Sequence, residues 1–209
     1  TTIAVDGLAA GKWYLPGPHD CQTCHTPVFS GVMGVKTRQL NRLFGAGGEE
    51  QLVAWQKRGM FSRGAAIDRL DEMDRLAAAG DLSRSVGDRA RSWLDANCAN
   101  CHRSGGVAGY FDARFCTPPD AQNLVDGPVL INLGIDHAKV IAPADVWRSI
   151  ALARVETLEG TRMPPLGHLS VDKEGAALLR EWIASMPGRA VLVPPTISPK
   201  GGDYHSAAV

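Results

Sequence analysis

Residues 21–25 read Cys-Gln-Thr-Cys-His and residues 98–102 read Cys-Ala-Asn-Cys-His, so one pattern, Cys-x-x-Cys-His, occurs twice. At that spacing two thiols can add across the vinyl groups of a haem while the adjacent histidine ligates the iron. Cys21, Cys24, Cys98 and Cys101 are therefore expected to form thioethers, and His25 and His102 to bind iron. Two runs imply two covalently bound haem c groups, and with them one-electron traffic. The rival chemistries fit less well. A thioredoxin-like redox pair sits beside strand–helix–strand alternation, and none surrounds either run. Zinc ribbons usually place their knuckles about 15–20 residues apart, far closer than Cys24 and Cys98. Neither rival calls for a histidine after both pairs.

An iron that passes electrons without binding substrate needs a sixth ligand. Met163, in Arg162-Met163-Pro164-Pro165-Leu166, suits the second haem. Its thioether is soft and neutral, which favours ferrous iron and raises the potential. The two prolines restrict the backbone beyond it. The partner of His25 is less determined. Met60 follows a stretch bearing Trp55 and is the leading candidate, with Met33 next. His19, His137, His168 and His205 offer bis-histidine alternatives, and an open position would permit catalysis.

The elements that must present these groups read as helices. Periodicity and breakers predict helices over 37–44, 49–58 and 64–79, with Gly45-Ala46-Gly47-Gly48 and Gly80 as stops. A helix over 86–101 delivers Cys98 and Cys101 at its end. Residues 104–143 hold many Gly, Pro and Asn and read as a loop wrapped over a haem. Further helices are expected over 145–156 and over 171–186, the last capped by Ser170 and bringing Trp182 near Trp93. The fold class expected is all-α: two small helical units with long haem-wrapping loops. Residues 1–82 form the first haem-binding unit, 83–190 the second, and 191–209 an extended tail without a core of its own.

With 209 residues, of which 44% are hydrophobic, the chain has enough apolar material for such a pair of units. A formal net charge of +0 gives nucleic acid no overall attraction. No apolar run of about 18 residues appears, so no membrane span is expected. Residues 1–11 lack a basic start and a long apolar run, so no signal peptide is visible. Bacterial haem attachment nevertheless takes place outside the cytoplasmic membrane, so a periplasmic or extracellular location and a trimmed chain are expected. Cys116 is the one cysteine outside the two runs, and a buried thiol is its default reading.

Residues 86–187 resemble the class I cytochrome c fold, whose distal methionine sits in a Met-Pro-Pro loop before the C-terminal helix. That resemblance gives Met163 the distal role. The whole stretch 13–187 is similar to the C-terminal region of bacterial di-haem c-type cytochromes. The likeness rests on Cys21–Pro27, Thr37-Arg38-Gln39-Leu40-Asn41, Asn97–His102, Arg162–Leu166 and Glu181-Trp182-Ile183-Ala184. It implies haem binding and electron transfer and supplies no substrate; redox partner proteins or subunits of a larger complex are the expected partners, and no catalytic residue is assigned. Members carry a further N-terminal region, so a processed or stand-alone form is expected here. The alternative expectation is a di-haem oxidoreductase, thiosulfate dehydrogenase-like or peroxidase-like, with Cys116 or an open site at one haem.

Overall fold

Thr2–Ala4 (β1) pairs antiparallel with Lys12–Tyr14 (β2), Ile3 facing Trp13. Tyr14 then helps to start the first helix, Pro18–Cys24 (α1). Its hydroxyl donates to Asp20 Oδ2 (2.6 Å), and the Gly17 N–H donates to the same oxygen (2.8 Å). Pro18 at the first helical position gives up an N–H that would have no helical partner. The computed structural model describes residues 2–5, 12–27, 33–44, 48–62, 67, 69–106, 108 and 110–188. The expected tail, 191–209, lies outside the described residues.

The all-α expectation is overturned: the protein is mixed α/β. Besides β1 and β2, Leu43–Phe44 (β3) pairs antiparallel with Glu49–Glu50 (β4). The chain between them, which includes Gly45, Gly47 and Gly48, joins two strands where it was expected to separate two helices. The helix expected over 37–44 shrinks to Thr37–Leu40 (α2), and that over 49–58 to Gln51–Lys57 (α3). Asn41, buried behind α2, explains a third departure. Its amide nitrogen donates to the carbonyls of Leu70, Met73 and Asp74 (3.1–3.3 Å). The Leu76 N–H goes to the Arg38 carbonyl (3.0 Å) and the Ala77 N–H to Ser92 Oγ (3.0 Å). With its peptide groups committed to neighbours, the stretch expected to be helical over 64–79 shows only a short 3₁₀ turn at Leu70–Glu72 among its described residues.

The second half is organised by two crossing helices, Val86–Asn97 (α4) and Lys173–Ser185 (α6). Ser85 Oγ caps α4 through the Asp88 N–H (3.0 Å). Asp172 caps α6 through the Gly175 N–H (2.9 Å), two residues beyond the expected Ser170. Ala90 and Leu94 of α4 meet Leu179, Trp182 and Ile183 of α6 in the core. Each helix sets a tryptophan on a glycine of the other. A Cβ at Gly175 would stand 2.3 Å from Trp93 Nε1, and one at Gly87 would stand 3.2 Å from Trp182 Nε1. Gly175→Ala is therefore expected to destabilise the fold by about 1–3 kcal/mol through overpacking, despite alanine's better helix propensity. Thermal unfolding at one pH, against wild type, measures it; unchanged or raised stability would contradict this packing.

Between these helices the described residues of 104–143 hold no α-helix and no β-strand, only a 3₁₀ turn at Pro119–Ala121, and polar side chains hold them in place. The Gln122 amide donates to the Arg114 carbonyl (2.8 Å) and the Asn123 amide to the Tyr110 carbonyl (2.7 Å). The helix expected over 145–156 begins only at Ile150 and runs to Val155 (α5). Asp145 Oδ1 takes the N–H groups of Trp147 and Arg148 (3.1 Å each), which holds that stretch in a turn. Among the described residues no helix is long and apolar enough to cross a membrane.

Candidate functional site

The first run lies in the last turn of α1 with His25 as its C-cap, whereas the second follows α4, which stops at Asn97, short of the expected Cys101; the same main-chain bond closes both. The His25 N–H donates to the Cys21 carbonyl and the His102 N–H to the Cys98 carbonyl, each at 2.9 Å. This places the histidine one turn beyond the first cysteine in each run. In the second run Cys98 is the residue that closes α4, its N–H reaching the Leu94 carbonyl (2.8 Å). The His102 carbonyl accepts from the Ala113 N–H (2.9 Å), which fastens the run to the wrapping loop.

Cys98, Cys101 and His102 open onto a cavity of about 260 Å³. Met163 and Pro164 line it as well, and Leu94, Val140 and Val155 supply apolar wall. The His102 ring stacks on Phe111, centroids 4.1 Å apart and planes 16° from parallel. Its Nδ1 is buried, and no aligned hydrogen bond reaches it. Burial pushes His102 down to about 4; the nearby Ala108 main chain opposes this in part and the Arg154 guanidinium adds to it. The imidazole is therefore neutral at neutral pH, the form that ligates metals. Burial also pushes the Cys98 thiol up to about 12, and burial together with Cys24 raises Cys101.

Met163 is held by α5. Its N–H donates to the Arg154 carbonyl (2.9 Å), and the Arg154 guanidinium reaches back to the Thr161 carbonyl (2.9 Å). Arg154 thus fastens the approach to Met163 at two neighbouring positions, and its guanidinium lies near the histidine. Arg162 binds the carbonyls of Leu158 and Glu159 (3.3 Å each).

These residues fit a haem. Two thiols, a neutral half-buried imidazole and a thioether border one apolar cavity, and Phe111 stacks on the imidazole. A zinc site would need its donors gathered around one point as thiolates. Among the described residues no group of three or more His, Cys, Asp or Glu side chains is placed to hold a metal ion.

The first run is more open. Cys21 and His25 are exposed and Cys24 is half-buried. Met60, expected to face His25, lies just past α3 and is 58% exposed. Met33 is half-buried, His19 and His137 are exposed and His168 is buried. His205 lies outside the described residues. Cys116 is exposed, which corrects the expectation of a buried thiol. It sits past the loop fastened by Phe115, whose N–H is taken by Asp95, so the next side chain points to solvent.

Two features went unread in the sequence. Phe111 and Arg154 are ordinary residues until the fold sets them beside His102. Asp95 is the larger omission. Its side chain is fully buried and accepts from Lys36 Nζ (2.9 Å), Arg38 Nε (2.8 Å) and the Phe115 N–H (2.8 Å). Lys36 Nζ also reaches the Asp95 carbonyl (2.6 Å). A carboxylate one helical turn before Cys98, amid buried Leu94 and Ser92, was the available signal. Asp95 ties the segment after the first run to the helix that ends in the second. The same docking brings Cys24 Sγ within 4.0 Å of Cys101 Sγ. Comparison with family models, curated proteins and solved structures yields no match to this chain.

Proposed function

We propose that the chain is a di-haem c-type cytochrome that carries electrons in the periplasm or outside the cell, alone or as a subunit of a redox complex. The observation that carries this reading is the convergence of Cys98, Cys101, His102 and Met163 on one apolar cavity. Haem bound there would supply reversible one-electron exchange at its iron. The chain's own contribution is to hold, orient and exclude water. Cys98 and Cys101 would anchor the macrocycle, and Phe111 fixes the plane of the His102 ring. Arg154 fastens the backbone at Thr161 and Met163, which would limit how far the sulfur could shift when the charge of a bound iron changed. The apolar walls and the thioether both favour the less charged ferrous state. Cys21, Cys24 and His25 make the same turn and would hold the second group. Donor and acceptor proteins are its implied partners.

Intact-mass measurement of the exported protein is expected to give the polypeptide plus two haems. In Met163→Ala both haems are retained, the red methionine-to-ferric-iron absorption disappears and the potential of one haem falls. An unmodified mass, or one raised only by zinc, would end the proposal. An unchanged red band would remove Met163 from the site.

A further inference from the structure

Cys24 and Cys101 belong to different halves of the chain, yet their sulfurs are 4.0 Å apart, in van der Waals contact. Each is the second cysteine of its run, the one next to the histidine. The segment that follows the first run is tied to the helix that leads into the second. Lys36 and Arg38 converge on the buried Asp95 of α4, three residues before Cys98. The Leu76 and Ala77 amides stitch the same region to Arg38 and Ser92, and Arg89 of α4 donates to the Ala79 carbonyl (2.8 Å). Lys36, Arg38, Ala77 and Ala79 thus attach the first half to α4, the helix that leads into the second run.

We infer that the Cys24–Cys101 contact is the junction between the two haems, so that both are held as one edge-to-edge pair. This rests on the haem reading above and goes beyond it, since two covalent haems need not touch. In that reading each sulfur is bonded directly to a side group of its own porphyrin. Two such sulfurs in contact bring the two ring peripheries together with no protein residue between them. An electron lost by the ferrous iron of one site is gained by the ferric iron of the other, and no proton or covalent bond is transferred. The pair then behaves as one two-electron store, with the first electron making the second harder to add.

Circular dichroism across the Soret band of the purified two-haem protein tests this. Two transitions held edge to edge couple and give a couplet with lobes of opposite sign. Unfolding in guanidinium leaves both haems attached and is expected to abolish the couplet. A two-haem protein with a single-signed folded-state band would overturn this inference while leaving the cytochrome reading intact. A couplet that survives unfolding would also overturn it, because the fold would not be its source. A chain with fewer than two haems would overturn both, and intact mass separates that case from the others.

Discussion

Replacing Asp95 by alanine is expected to lower the unfolding free energy by about 3–5 kcal/mol, the range for a buried ion pair deprived of one partner. The side chain is 0% exposed, while those of Lys36 and Arg38 are 18% and 19% exposed. Both cations and the Phe115 N–H would lose their acceptor in a place that water barely reaches. An exposed pair such as Lys57–Glu49 makes the contrast, since its loss should cost no more than about 1 kcal/mol. Denaturant titration of the two variants side by side measures the difference. Equal small losses would show that Asp95 is not a hub.

The same residue sets a pH dependence. Burial pushes the Asp95 carboxyl up, but Arg38, the Phe115 N–H and Lys36 outweigh it and hold the group below the usual carboxylate range. Lys36 runs the other way: burial lowers it more than Asp95 restores it, so the carboxylate is the member that gains. A depressed folded-state value means the stabilisation is complete above the unfolded value of about 3.9 and is lost as pH falls through the folded one. The gap between wild type and Asp95→Ala should therefore be constant near neutrality and close below about pH 4. Acid titration of both proteins is the check.

What was legible in the residues was what is local. Cys-x-x-Cys-His needs only five positions, and both runs fold into the turn that their spacing requires. α4 and α6 are the longest helices among the described residues, and their apolar stripes with side-chain caps announce them. The place of Met163 beside the second run was readable because its prolines and the following helix are also near neighbours. The strands were not, because two or three residues are too few to show an alternating pattern. The stretch 70–78 shows the same limit from the other side. Its apolar spacing of three was read as helical, but Asn41, Arg38 and Ser92, all distant in the chain, claim its peptide groups. Asp95 and the Cys24–Cys101 contact are wholly non-local and emerge only once the two halves dock.

Preparing the chain without haem is expected to cost the second unit its cooperative fold. The cavity beside His102 is cut into the same cluster that holds α4 against α6: Leu94, Val140 and Val155 line it and also belong to the core. Without an occupant this half-open apolar cleft of about 260 Å³ leaves those core side chains facing water, so the burial that should hold α4 and α6 is incomplete. The walls would then close on one another, and α4 and α6 would keep helical content while losing fixed side-chain packing. Far-UV dichroism should change little, near-UV dichroism should collapse, and the thermal transition should broaden until no single midpoint describes it. A variant with Cys21, Cys24, Cys98 and Cys101 all replaced by serine, expressed without haem, provides the material. A sharp transition at the holoprotein's midpoint would mean that the core stands on protein contacts alone and that the cavity is not the seat of a structural cofactor.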